Sequence, residues 1–130
     1  MCAINGFNFN DKSLILKMNN ATTHRGPDGT GIFCDDKISL GHNRLSIIDL
    51  NKEADQPMKS GDDSLVIVFN GEIYNFRELK KNLSSYSFKT KSDTEIILAS
   101  YKKWGKDCVK KFNGIFSFAI WDKKKKELFK

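Results

Sequence analysis

Cys2 directly follows Met1, and that placement gives one residue two reactive groups. Once Met1 is removed, the thiol stands beside a free α-amine whose ordinary pKa of roughly 7.7–8.0 lies close to the thiol's ~8.5. The amine can then take the thiol proton, directly or through a water, and produce a nucleophile near neutral pH without any histidine. The competing reading is a small buried residue opening the first strand, the usual fate of free cysteine. His24 and His42 allow a cysteine–histidine pair, although each is expected to brace a loop. Cys34 and Cys108 lie in apolar surroundings and read as inert packing. Three widely spaced cysteines form neither a zinc-ligand set nor a disulfide framework, and they fit a reducing cytoplasm.

Arginine is rare here. The chain writes its positive charge as lysine, 19 of 22 basic residues, leaving only Arg25, Arg44 and Arg77. Where arginine does occur, its planar fork is the feature to explain. Arg44 interrupts the apolar run Ile38–Ile48, so it has either a ligand carboxylate or an internal acid such as Asp49 to meet. Arg25, beside Gly26-Pro27, is expected to organise its own loop. Asn70-Gly71 can aim two donors at one oxygen, although taken alone the pair is more often a type I′ hairpin turn. Asp93 taken alone is an acid favoured by the dipole at a helix N-terminus.

The elements that must position these residues follow from periodicity. Asp11–Asn20 reads as a short helix with Leu14, Ile15 and Met18 on its buried face and Asp11 as its cap. Thr22–Thr30 holds two glycines inside and a proline, so it is a loop. Gly31–Cys34, Ile38–Ile48 and Ser64–Phe69 read as antiparallel strands, with a hairpin turn at Ser60–Asp63. Phe76, Leu79 and Leu83 mark one helix face. A third helix opens at Ser92-Asp93-Thr94-Glu95, a capping-box pattern, and buries Ile97, Tyr101 and Trp104. Ile115–Trp121 is apolar on both faces, as for a strand covered by helices on one side and a second sheet on the other. Lys123–Lys126 then falls in a hairpin turn. The fold class is α+β in one domain.

A formal charge of +6 raises nucleic acid as a partner. The lysines are dispersed or sit at turns, however, and no single element interleaves them with aromatics, so no nucleic acid is expected. No apolar run reaches the ~18 residues of a membrane span, and the first ten residues lack a signal-peptide pattern, so no membrane association is expected.

Six segments occur in a fixed order: Met1-Cys2-Ala3-Ile4, His24–Asp28, Gly41–Asp49, Gln56-Pro57-Met58, Phe69–Asn75 and Ser92–Glu95. On these motifs the whole chain resembles the glutaminase domain of class II glutamine amidotransferases, particularly that of glutamine-hydrolysing asparagine synthetases. The resemblance implies the N-terminal-nucleophile hydrolase fold, a four-layer αββα sandwich of two antiparallel sheets between helices. It implies hydrolysis of the glutamine side-chain amide to glutamate and ammonia, with Cys2 as nucleophile and Asn70 and Gly71 as the oxyanion hole. Arg44 would grip the α-carboxylate of glutamine, and Glu72 and Asp93 its α-ammonium. The same resemblance implies no metal or cofactor in this domain. ATP and magnesium would belong only to a synthetase domain or subunit, absent from this chain, that takes up the ammonia. It further implies a cytoplasmic setting and is compatible with a homo-oligomer. Position 3 is alanine where the family often has glycine, and relatives continue beyond the counterpart of Lys130. Residues 1–130 are therefore expected to be a partial glutaminase domain. The alternative is a catalytically idle interaction module of the same fold.

Overall fold

Two nine-residue stretches, Leu65–Ile73 and Gly114–Asp122, pair antiparallel along their full length and form the spine of the molecule. The computed structural model describes residues 1–130. In chain order its main elements are β1 (Ala3–Phe7), α1 (Lys12–Thr22), β2 (Gly29–Cys34), β3 (Ser39–Arg44), β4 (Met58–Lys59), β5 (Leu65–Ile73), α2 (Phe76–Lys81), α3 (Asp93–Trp104), β6 (Gly114–Asp122) and β7 (Glu127–Phe129). Short 3₁₀ turns lie at Thr23–Arg25, Lys52–Ala54 and Gly105–Lys111.

All strand pairs are antiparallel. One sheet has the order β1-β3-β2 and the other β4-β5-β6-β7. The sheets meet face to face through Ile38, Leu40, Val66, Val68 and Trp121. Helix α1 covers the outer face of the first sheet, while α3, with α2 beside it, covers the second through Ile67, Phe69, Ile73, Ile97 and Leu98. This is the αββα layering that the family resemblance implies. No helix is long and apolar enough to cross a membrane.

Local chemistry explains where the elements depart from expectation. Asp11 caps α1, accepting the Leu14 N–H at 2.8 Å, but the buried face runs through Ile15 and Asn19 while Leu14 is exposed. Asn19 can lie there because its amide is fully used. It donates to Thr30 Oγ1 and the Gly31 carbonyl and accepts from Asn5. Ser92 caps α3 by accepting the Thr94 N–H at 3.1 Å, yet Glu95 does not reach back to the Ser92 N–H. Its carboxylate instead takes the N–H groups of Lys89 and Thr90 and the Thr90 hydroxyl, pinning the chain ahead of the helix. Strand β3 stops at Arg44 rather than Ile48, and Ile47 and Ile48 are exposed. In β6 only the second half is buried; Ile115 stays 70% exposed. The turns at Ser60–Asp63 and Lys123–Lys126 fall where the sequence puts them.

Candidate functional site

Strand β4 is two residues long, and the site is built where it ends. β4 pairs with β5 only at Met58–Ile67 and Lys59–Val66, so beyond Ile67 that edge of β5 has no neighbouring strand. Antiparallel alternation turns the N–H groups of Phe69, Gly71 and Ile73 toward this edge. Side chains take the outer two: Gln56 Oε1 accepts the Phe69 N–H at 2.6 Å, and Asp93 Oδ2 accepts the Ile73 N–H at 3.0 Å. The Gly71 N–H between them has neither a strand nor a side chain opposite it.

Gly71 is required at that position. Its φ is +149°, and a Cβ there would collide with the Ile115 carbonyl oxygen on β6. Asn70-Gly71 is thus the interior of a strand, which corrects the hairpin-turn alternative. The continuous pairing of β5 with β6 through Ile73 carries the strand past Phe69, where the sequence alone would end it. Asn70 Oδ1 is buried without a partner, whereas its Nδ2 makes no bond within the chain and is not enclosed. Two N–H donors from consecutive residues are thereby left for a ligand.

A cavity of about 280 Å³ opens at this edge, near the lower end of small-molecule sites. Its walls include all six residues singled out from the sequence: Cys2, Arg44, Asn70, Gly71, Glu72 and Asp93. The half-buried Cys2 sulfur is held against the chain just after β3, accepting the Leu45 N–H at 3.3 Å with the Leu45 carbonyl 3.7 Å away. Arg25 Nε donates to the Cys2 carbonyl at 3.2 Å, so this arginine braces the backbone of Cys2 rather than only its own loop. Met1 also lines the cavity and is 64% exposed.

Arg44 is more committed than the sequence suggested. Nη1 donates to Asp55 Oδ1 at 2.6 Å and to the Asn51 carbonyl at 3.0 Å, and Nη2 donates to the Asp49 carbonyl. The internal acid is therefore Asp55, not the Asp49 carboxylate. That carboxylate accepts from the Lys91 and Asn51 N–H groups, which hold it below the usual carboxylate range. Of the five guanidinium donors, Nε–H and one Nη2 hydrogen remain for a ligand. The segment Leu45–Leu50 is tied down by these bonds and by the Ser46 N–H to Asp28 Oδ2 at 2.8 Å.

The acids form the opposite electrostatic feature. Burial pushes the Asp93 carboxyl above its ordinary range despite the Ile73 N–H, and the neighbouring Glu72 charge adds to the rise. Two carboxylates in one cavity, one of them poorly solvated, favour a cationic ligand group. Neither histidine lines the cavity, which removes the cysteine–histidine reading: His24 is exposed in a 3₁₀ turn, and His42 is buried between the sheets. Cys108 is inert, with burial pushing its thiol up to about 11. Sequence reasoning gave no role to Gln56, Asp55 or Thr94. Gln56 and Thr94 fell within the ordered motifs Gln56-Pro57-Met58 and Ser92–Glu95, and Asp55 carried no signal.

The family described as "Glutamine amidotransferase domain" matches residues 1–130. The chain is 45% identical over 151 aligned residues to "Putative asparagine synthetase [glutamine-hydrolyzing] 2" of Methanocaldococcus jannaschii, covering 99% of this chain and 29% of that protein. It is 44% identical over 114 residues to "Asparagine synthetase [glutamine-hydrolyzing] 1" of Bacillus subtilis, covering 86% of this chain and 18% of that protein. In fold it is similar to the glutamine phosphoribosylpyrophosphate amidotransferase of B. subtilis, with a TM-score of 0.75 at 21% identity over 95% of this chain and 35% of that one. The chain thus spans less than a third of the length of these two asparagine synthetases. It belongs to the glutamine amidotransferase domain family.

Proposed function

We propose that the chain hydrolyses the side-chain amide of glutamine to glutamate and ammonia, with Cys2 as the nucleophile once Met1 has been removed. The observation that carries this reading is the meeting, in one cavity, of a thiol, two free N–H donors, an arginine with unused donors and a pair of carboxylates. In the reaction the α-amine of Cys2 takes the thiol proton and the sulfur attacks the amide carbon. Asn70 Nδ2 and the Gly71 N–H stabilise the oxygen that gains charge. Collapse breaks the carbon–nitrogen bond, the ammonium of Cys2 protonates the leaving nitrogen, and ammonia departs to leave a γ-glutamyl thioester. Water, deprotonated by the same amine, then releases glutamate and restores the thiol.

Arg44 is assigned the α-carboxylate, and Glu72 with Asp93 the α-ammonium. The names of the curated relatives support a synthetase domain or subunit as the consumer of the ammonia. Ile47, Tyr74 and Ile115, exposed in the cavity's rim, offer an apolar collar for such a partner. ATP and magnesium belong, on this reading, to that partner, and no step above uses them. Ammonia release from glutamine by the processed chain, with asparagine as the control substrate, tests the proposal. No release, with Cys2 unmodified by a glutamine-like diazo ketone, would leave the idle-module reading in its place.

Two further outcomes follow from the substrate contacts. Arg44→Lys keeps the charge but loses the fork, so KM for glutamine should rise by about 10–100-fold, the weight of a charge-assisted bidentate contact. KM for the α-ester should hardly change. If only thermal stability falls and the preference for free over esterified glutamine persists, Arg44 serves Asp55 and the loop alone. Acidification should also weaken binding. Asp93 must be ionised to attract an ammonium, and because its carboxyl titrates above the ordinary range, KM should climb at a higher pH than an exposed acid would allow. In Asp93→Asn that acid limb should disappear, measured as KM against pH.

A further inference from the structure

The carbonyl of Phe69 shares the open edge of β5 with the Phe69 N–H, and it too is taken by a side chain: His42 Nε2–H donates to it at 3.1 Å. We propose that His42 and Gln56 are positioning residues for amide hydrolysis, standing in together for the strand that β4 does not supply and fixing the peptide that leads into Asn70 and Gly71. The inference rests on the function proposed above.

Each clamp reaches a different wall of the site. His42 lies on β3 two residues before Arg44 and therefore on the same face of that sheet, the sheet whose end also holds the Cys2 sulfur. Its bond to Phe69 ties the nucleophile's sheet to the strand that carries the oxyanion donors. Gln56, in register opposite Phe69, accepts the N–H with Oε1 and donates from Nε2 to Thr94 Oγ1 at 3.3 Å, beside Asp93. Gln56 itself is seated against β2, where a Cβ on Gly31 would collide with its carbonyl oxygen. One backbone unit is thus held from the first sheet and from α3 at once.

His42 carries a cost that packing alone does not explain. It is fully buried, yet its Nδ1 has no partner. Burial drops its pKa to about 4, so at neutral pH it is an uncharged donor. The Phe69 carbonyl can only accept, which places the proton on Nε2. An apolar residue of similar size would fill the space without stranding a ring nitrogen, but it would leave the carbonyl ahead of Asn70 unheld.

The test uses the full chain and two measurements: steady-state glutamine hydrolysis and backbone amide exchange by NMR. His42→Leu removes the donor, Gln56→Met removes the acceptor, and His42→Gln returns an N–H near the position of Nε2. In the first two variants kcat should fall at least about tenfold with KM within about threefold, because misplaced oxyanion donors act on the transition state. His42→Gln should recover most of the loss. In an Asn70→Ala background, His42→Leu should cost less than about threefold more, since it acts through the donor already removed. Exchange at the Phe69 and Asn70 amides should quicken at least about tenfold while Val66 and Ile67 stay unchanged. Even acceleration along all of β5, or a kcat loss undiminished without the Asn70 side chain, overturns the proposal. A parent chain that releases no ammonia overturns the hydrolysis reading alone; local exchange at Phe69 and Asn70 then still decides whether the two side chains hold that peptide. Should His42→Leu fail to fold, Gln56→Met and the comparison of His42→Gln with the parent carry the same outcomes.

Discussion

Cys2→Ala is expected to lower ammonia release from glutamine by at least about 10⁴-fold, the scale on which a nucleophile is lost from a covalent mechanism. Glutamine binding should survive, because the contacts proposed for Arg44 and Asp93 do not involve sulfur. Retention of Met1 should be nearly as damaging, for two separate reasons. Acylation turns the α-amine of Cys2 into an amide nitrogen that cannot accept a proton, and the Met1 residue itself occupies part of the cavity wall. His24→Ala, remote from the cavity, should leave the rate within a few-fold of the parent. Intact mass before and after a glutamine-like diazo ketone reads methionine removal and thiol reactivity together. A processed Cys2→Ala chain that hydrolyses glutamine at the parent rate would end the nucleophile assignment.

Asn70→Ala should reduce kcat by about 10²–10³ and leave KM nearly unchanged, as for the removal of one oxyanion-hole donor. The distinction matters because Asn70 is also a strand residue. Were its role to stabilise β5, the loss would appear as a lower unfolding midpoint with kcat intact. The geometry argues against that outcome, since Oδ1 has no bond to lose and Nδ2 makes none within the chain. Asn70→Asp is a useful companion: it keeps the shape and replaces the donor with a negative charge facing the developing oxyanion, and kcat should fall at least as far.

Most strands and the six cavity residues were legible in the sequence, but for different reasons, and the αββα layering only through the family resemblance. Hydrophobic alternation and the turn residues placed most strands, because those patterns are local. The site residues were legible as ordered motifs, not as geometry; nothing in the spacing of Cys2, Arg44, Asn70 and Asp93 says that they converge. What the sequence concealed were bonds between a side chain and a distant backbone. Gln56 completes a ladder at Phe69, 13 residues away, and Glu95 bypasses its own helix cap to hold Lys89 and Thr90. Arg44 illustrates the same limit. Its rarity marked it as a residue needing a carboxylate, and the structure supplies one from Asp55 without removing the donors that a ligand would use.

The short β4 has a consequence for what the cavity recognises. Along the rest of β5 each edge donor described above meets an oxygen of the chain itself, the backbone of a neighbour, the carboxamide of Gln56 at Phe69 or the carboxylate of Asp93 at Ile73. At Gly71 the molecule provides none. A primary carboxamide at the end of a flexible side chain is a peptide group detached from any chain, with the same planar carbonyl that an adjacent strand would present. On the proposed function, glutamine would enter as a one-residue imitation of backbone, with the hydrogen-bond pattern of the sheet as its reading frame. A ligand with an ester or a nitrile in place of the carboxamide offers a poorer copy of a peptide. The discrimination at Gly71 should appear in kcat rather than in KM, because that donor is used most fully once charge develops on the oxygen.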